Sequence, residues 1–257
     1  MRNLSTQNKS ASDELLDIAR RENLQLQTIE LDVRNHAQQD LVFDEIVRKS
    51  SRLDVLINNA GIIVCTPADC VTQKILDMQF QTNFYGPARL SSRALEVMSA
   101  QGQGHIITIS STVGRLNFPG ISLYCASKHA LESHLEVMSL EARESGVQFS
   151  LIQPGPYETR INPNAVDILE HFTIPELKNE RPMLYQKREQ DLRDLGKRFA
   201  GIPPFDPQEV ATEIANRVEG TAPRPEVGLR LPVGHGHEFP VLRELNRVHD
   251  WAQNQLQ

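Results

Sequence analysis

Stretches of apolar residues at strand spacing alternate with stretches at helical spacing along the chain as far as Thr159, beyond which the pattern changes. That alternation restricts the fold to one in which helical crossovers return the chain to the same end of a parallel sheet. Ser12-Asp13-Glu14 opens a helix carrying Leu15, Leu16, Ile18 and Ala19, and Leu26 to Val33 reads as a strand. Residues 37 to 50 follow as a helix with Leu41, Val42, Ile46 and Val47 on its apolar side, and Leu53 to Ile57 as a strand. Helices at about 68–79 and 82–100, a strand at 105–110, a helix at 122–145 and a strand at 147–153 continue the pattern. Asp206-Pro207-Gln208-Glu209 supplies an N-cap acid, a first-turn proline and a capping-box glutamate for a further helix. A strand over Gly228 to Val233 and a helix through Leu242, Leu245, Val248 and Trp251 close the chain. The expectation is an α/β, doubly wound parallel sheet, Rossmann-like, forming one domain over residues 1–257. The 39% hydrophobic content is enough to fill its core.

Charge and cysteine usage narrow the classes of function. A net charge of -6 argues against a nucleic-acid partner, which requires clustered Lys and Arg. No apolar run reaches the ~20 residues of a membrane span, and the N-terminus lacks a signal-peptide layout, so a cytoplasmic protein is expected. Cys65, Cys70 and Cys125 offer no paired framework and are expected as free thiols. His235 and His237 flank Gly236 with no accompanying carboxylate or cysteine cluster, so no metal site is expected. His129 and His134 read as ordinary helix residues.

Reactive chemistry concentrates around Tyr124. Tyr124 and Lys128 stand four residues apart in Ser-Leu-Tyr-Cys-Ala-Ser-Lys, on one face of a helix, with Ser111 thirteen residues before the tyrosine. A tyrosine titrating near ~10 can trade a proton with a substrate oxygen at neutral pH only if its phenolate is stabilised, and a lysine one turn away can do that. Ser111, ending the run His-Ile-Ile-Thr-Ile-Ser, can donate to the same oxygen as charge develops. These are the requirements of carbonyl reduction.

The surroundings of this trio resemble the short-chain dehydrogenase/reductase family. Asn58-Asn59-Ala60-Gly61 follows the strand Leu53 to Ile57, Asn83 stands 28 residues before Ser111, and Pro154-Gly155 with Thr159 completes a Pro-Gly-x-x-x-Thr pattern. The resemblance runs from about Met1 to Thr159 and more loosely to Leu229–Val233. It implies a nicotinamide cofactor, with Tyr124 as general acid or base, Lys128 lowering its pKa and holding the ribose, Ser111 polarising the carbonyl and Asn83 anchoring a water that relays protons. It further implies cofactor contacts from Asp32 and Val33 at the adenine, from Asn59, Ala60 and Gly61, from Pro154, Gly155 and Tyr157, and from Thr159 at the carboxamide. Arg2 falls where a basic residue favours the 2'-phosphate of NADP, with NAD as the alternative.

One family feature is missing. Members open with a strand, a Thr-Gly-x-x-x-Gly-x-Gly turn and a helix, whose backbone amides bind the pyrophosphate. Here the only Gly-x-Gly runs are Gly102-Gln103-Gly104, which joins a helix to a strand, and Gly234-His235-Gly236, which has no third glycine. The expectation is an N-terminally truncated sheet in which Leu26–Val33 either stands apart, leaving open edges, or moves inward to pair with Leu53–Ile57. Beyond Thr159 the resemblance implies a mobile substrate cap over residues 160–205. The alternative is a solvated helix, since twelve of the 23 residues from Glu176 to Arg198 are charged.

Met1-Arg2-Asn3-Leu4, Pro154-Gly155-Pro156 and Leu231-Pro232-Val233-Gly234 are similar to the branch that holds retinol and 17-beta-hydroxysteroid dehydrogenases. They imply a hydrophobic alcohol or ketone as substrate, in a protein that could form a homo-oligomer. The competing class is a family member that keeps the reacting residues without holding cofactor. Sugar-nucleotide epimerases share Tyr-x-x-x-Lys but not the Ala-Ser-Lys and Pro-Gly signatures found here.

Overall fold

The computed structural model describes residues 4–201, 205–221, 229–234 and 238–255. Arg2, His235, Gly236 and His237 lie outside the described residues. Helices α1 (Leu4–Arg21) and α2 (His36–Ser50) precede the first strand, β1 (Val55–Asn58). Asn35 caps α2 by accepting from the Gln38 amide, and Ser51 ends it in the left-handed conformation, φ 56°. Helix α3 (Gln73–Phe80) runs through a π-turn at Gln81–Tyr85 directly into α4 (Gly86–Gln101), where two separate helices had been expected. Gly102, φ 72°, stops α4 just before β2 (Gly104–Ile109), so the first Gly-x-Gly run is a helix-to-strand turn. Next come α5 (Ser122–Glu141), β3 (Val147–Pro154), α6 (Ile161–Ile168), α7 (Ile174–Glu180), α8 (Pro182–Ala200), α9 (Gln208–Glu219), β4 (Arg230–Val233) and α10 (Glu238–Gln255). The Asp206 carboxylate accepts from the Gln208 amide and starts α9 as its sequence predicts.

All strand pairings are parallel, in the order β1-β2-β3-β4, with Leu56 opposite Ile106, Ile106 opposite Phe149 and Leu151 opposite Arg230. Helices α4 and α5 cover one face: Ile106 packs with Leu90, Ala94 and Met98, and Leu151 with Leu131, Leu135 and Met138. Phe149 touches both clusters. Parallel register brings the C-terminal ends of β1, β2 and β3, namely Asn58, Ile109 and Pro154, to one edge of the sheet. Binding crevices of such sheets form at that edge.

The expected strand Leu26–Val33 is not one. The segment has no regular structure, ends in a turn at Val33 and Arg34, and joins no ladder among the described residues. Side-chain amides of α2 take the place of a neighbouring strand. Gln38 accepts from the Asp32 N–H at 2.8 Å and donates to the Glu30 carbonyl at 3.0 Å, and Gln39 donates to the Val33 carbonyl. A strand is defined by its partner, and β1 has a described partner on one side only, leaving Ile57 44% exposed.

Residues 160–205 are not a solvated helix either. Leu177 and Leu192 are fully buried, and Leu169, Leu195 and Phe199 nearly so, in one cluster with Ile63, Val113, Ile121 and Tyr124. Burial of this kind contributes about 1.5–3 kcal/mol per large side chain, more than an exposed charged face can supply. The charged residues of α8 occupy its opposite face, and Arg188 ties it to Asp69 at 2.7 Å.

One contact fixes the Asp32–Val33 segment against the sheet layer. A Cβ at Gly86 would meet the Val33 carbonyl oxygen at 2.7 Å and the Val33 Cβ at 3.0 Å, so only glycine allows this approach. Gly86→Ala should therefore destabilise the fold by about 1–3 kcal/mol as the backbone gives way. A urea midpoint unchanged from the parent would refute that packing.

Candidate active site

The candidate groups come from three places in the chain, the end of β2, the π-turn and α5, and all lie at the carboxyl edge of the sheet. Ser111 follows β2 and starts the turn Thr112–Gly114, its hydroxyl accepting from the Val113 amide at 3.3 Å. Tyr124 and Lys128 project from the first two turns of α5 and are both buried. The Lys128 Nζ lies 5.9 Å from the centroid of the Tyr124 ring and donates to the Ile109 carbonyl at 2.8 Å, which ties α5 to the end of β2. Asn83 sits inside the π-turn, a geometry that recurs at functional sites. Its Oδ1 accepts from the Ile62 N–H and its Nδ2 donates to the Ile62 carbonyl, each at 2.9 Å. The same Nδ2 reaches Ser127 Oγ at 3.3 Å, and Ser127 donates to the Tyr124 carbonyl at 2.8 Å.

Gly61 completes the cluster. A Cβ there would stand 3.8 Å from both Asn83 Oδ1 and Lys128 Nζ, so the end of the Asn-Asn-Ala-Gly run adjoins the lysine. Asn59 and Ala60 are exposed just past β1, whereas Asn58 is buried and donates to Ser91 and Thr108, a purely internal brace.

Burial sets the electrostatics. It pushes the Tyr124 hydroxyl up to about 12, with the hydrogen bond to Ser111 pulling down. It brings the Lys128 ammonium down to about 8, with the negative charge of Glu132 pulling up. A cation and a phenol are thus displaced in opposite directions, side by side, and each favours the charged form of the other once a proton leaves the tyrosine. The three cysteines are free and buried, and burial raises the thiol pKa of each.

The remaining expected residues fall into two groups. Val33 reaches the Asn83 helix through Gly86, while Asp32 is half-exposed and forms an ion pair with Arg34 at 2.7 Å that holds its carboxyl below the usual range. Pro154 ends β3, and the Gly155 amide donates to the Val233 carbonyl at 3.1 Å. Tyr157 is buried, its hydroxyl donating to Glu209 at 2.9 Å and its ring meeting Phe205 edge-on. Thr159 is exposed, accepting from the Ile161 amide at the start of α6.

A buried polar network behind the site went unread in the sequence. Glu132 accepts from Ser110, Gln153 and Arg230; Arg230 also pairs with Glu136, and Glu136 meets His249 at 2.7 Å. Asn246 bridges Gln153 to Arg115. An acid one turn after Lys128 on the same helical face, and an arginine within an apolar strand, were the available signals.

A parallel sheet with a Tyr-Lys pair and a serine gathered at its carboxyl edge is a Rossmann-type arrangement whose three side chains can exchange a proton with a carbonyl or alcohol oxygen. The short chain dehydrogenase family model matches residues 3–168, and the chain belongs to that family. Retinol dehydrogenase 8 of Homo sapiens is 31% identical over 193 residues, covering 73% of this chain and 61% of that one. The chain spans about half the length of several other curated relatives it matches. Among solved structures, a short-chain dehydrogenase from Streptomyces avermitilis is 27% identical with a TM-score of 0.68, covering 95% of this chain and 83% of that one. A gluconate 5-dehydrogenase from Burkholderia cenocepacia J2315, in complex with NADP and tartrate, is 29% identical with a TM-score of 0.57 over 62% of each chain.

The Lys128 environment makes a testable statement about stability. The unfolded chain keeps this proton up to the ordinary 10.5, whereas the folded chain releases it near 8. The burial penalty is therefore complete below about pH 8 and is relieved as pH rises toward 10.5. Relative to Lys128→Met, which carries no ammonium, the wild type should gain on the order of 1–3 kcal/mol between about pH 7 and about pH 9.5. Urea unfolding of both proteins at the two pH values measures this, and a constant difference would contradict the buried ammonium.

Proposed function

We propose that this chain is an oxidoreductase that interconverts a carbonyl and an alcohol by hydride transfer with a nicotinamide dinucleotide, on a hydrophobic substrate. The observation that carries the reading is Tyr124, buried, hydrogen-bonded to Ser111, beside Lys128 and beneath helices α6 to α8. In reduction, the Tyr124 hydroxyl gives its proton to the substrate oxygen; in oxidation, the phenolate takes it back. Lys128 stabilises that phenolate, and Ser111 donates to the same oxygen as negative charge builds. Asn83 holds the Ile62 backbone and, through Ser127, the helix of the tyrosine. The apolar side chains of α6 to α8 exclude water and favour a hydrophobic substrate, in keeping with the similarity to a retinol dehydrogenase.

The dinucleotide, when bound, supplies the hydride. Residues for its nicotinamide half fit: Lys128 is buried with a single carbonyl partner described, next to Gly61, and Pro154-Gly155 ends the adjoining strand. We assign the ribose to Lys128 and the carboxamide to Thr159, with Asn59, Ala60, Gly61, Asp32, Val33 and Tyr157 as further contacts. NADP is the proposed cofactor, on the strength of Arg2 in the sequence and of a similar protein solved with NADP. A cytoplasmic location and self-association belong to the same proposal, as does the role of residues 160–205 as a substrate cap.

A second reading, that residues 1–257 keep the reacting groups without holding cofactor, is favoured by one observation. No strand, glycine-rich turn and helix occur in sequence to bind pyrophosphate. Calorimetric titration of NADPH separates the two readings: low-micromolar binding supports the enzyme, and its absence supports the second. In a cofactor-binding protein, Tyr124→Phe should lower turnover of a hydrophobic ketone by about 10²-fold or more with little change in Tm. Near-full turnover would remove Tyr124 from the mechanism.

A further inference from the structure

Glu132 is an acid with no assigned task, buried one helical turn beyond Lys128, and its side chain is 2% exposed. Its two oxygens take donors from β3, from β4 and from the residue just past β2. Oε1 accepts from Ser110 Oγ at 2.5 Å and Gln153 Nε2 at 2.9 Å, and Oε2 accepts from Arg230 Nε at 2.9 Å. Ser110 immediately precedes Ser111, and Gln153 immediately precedes Pro154-Gly155. The turn after Ser111 is pressed onto the same carboxylate, since a Cβ at Gly114 would lie 2.1 Å from Oε1.

We infer that Glu132 is a positioning residue: one carboxylate clamps the ends of β2 and β3 to helix α5, and thereby holds Ser111 and Pro154-Gly155 in register with Tyr124 and Lys128. A carboxylate suits this position because each oxygen accepts two hydrogen bonds, and charge-assisted bonds are stronger and shorter than neutral ones. Ser110 and Gln153 could have been satisfied by water or by each other. Instead both spend donors on the group that shares a helix with the catalytic pair, and small errors in such geometry are costly to rate. The charge also faces Lys128, whose other neighbours are the neutral Tyr124, Asn83 and the Ile109 carbonyl.

Glu136 provides the internal control. It lies one turn further along α5 and pairs with the same Arg230, at 2.9 Å, but touches neither Ser110 nor Gln153. If Glu132 served only to neutralise Arg230, Glu132→Gln and Glu136→Gln would behave alike.

The inference rests on the carbonyl–alcohol reading, so the test has an arm that needs no activity. Glu132→Gln, Ser110→Ala, Gln153→Met and Glu136→Gln are compared with wild type by steady-state kinetics and by amide hydrogen exchange of peptides covering 110–116 and 153–157. Clamping predicts a kcat lower by about 10-fold or more in Glu132→Gln, and by a smaller factor in Ser110→Ala and Gln153→Met, with KM nearly constant. Exchange should be faster in 110–116 for Ser110→Ala and in 153–157 for Gln153→Met, with Glu136→Gln near wild type in both measurements. Ser110→Ala and Gln153→Met leave the Arg230 pairs intact and keep the test decisive if Glu132→Gln fails to fold. Unchanged exchange in both single-tie variants, or equal kcat losses in Glu132→Gln and Glu136→Gln, would overturn the clamp. A wild type inactive on every carbonyl tried would sink the proposed function and leave the exchange arm to decide the clamp alone.

Discussion

Arg230 carries its charge inside the molecule, on the edge strand β4 and 1% exposed, and much of the rest depends on how that charge is met. An isolated buried guanidinium would be prohibitive, and two carboxylates from α5 answer it. Such networks are weak sources of net stability, because desolvation offsets most of the attraction, but they are exacting about geometry. Here the geometry concerns α5, the helix that carries Tyr124 and Lys128. Sliding α5 along the sheet would leave Arg230, Glu132 or Glu136 unpaired in a dry interior. Asp250 on α10 adds to the same pressure: it lies 3.8 Å from Arg230, and burial raises its pKa. The last strand and last helix are thereby joined to the helix that carries Tyr124 and Lys128.

The cap acts on the same site from the other side. Tyr124 belongs to the apolar cluster that α6 to α8 form with the residues after β1, so the tyrosine is dry because the cap is packed. That packing buries the tyrosine, and burial raises its pKa as it lowers that of Lys128. Polar ties at the rim hold it in place: Arg181 donates to the Asp69 carbonyl, Arg188 pairs with Asp69, and Glu176 accepts from Lys74 and Thr72. These are exposed or partly exposed and individually weak, so the cap is held chiefly by its leucines.

The sequence made the centre of the fold legible and its margins illegible. Tyr124, Lys128, Ser111, Asn83 and Gly61 converge as expected because each sits at a fixed step from a strand end, and parallel strands bring those ends together. The Asp206 carboxylate that accepts from the Gln208 amide before α9 was readable for a local reason as well. Leu26–Val33 misled because its apolar alternation says what a strand would look like, not whether a partner exists; Gln38 and Gln39 supply hydrogen bonds that no periodicity reveals. In α8 the helical spacing of Leu192, Leu195 and Phe199 was legible despite the charge density, and all three are buried. The Glu132 network went unread for a different reason, since it joins residues up to 131 positions apart and its two signals do not say which partners meet.

The site is therefore asymmetric. On the nicotinamide side, buried and charged groups from four elements meet within a few ångströms, and each side chain has its orientation fixed by a named partner. On the pyrophosphate side, the sequence holds no glycine-rich turn, β1 has a single described neighbour, and Asp32 spends its charge on Arg34. Binding energy for a dinucleotide comes largely from its phosphates and adenosine, whereas rate depends on the geometry at the reacting carbon. The geometry of the candidate groups is therefore set by internal constraints: the carboxylate of Glu132 joins the ends of β2 and β3 to α5 whatever else borders β1, and Asp32 and Val33 are held separately, by Arg34, α2 and Gly86.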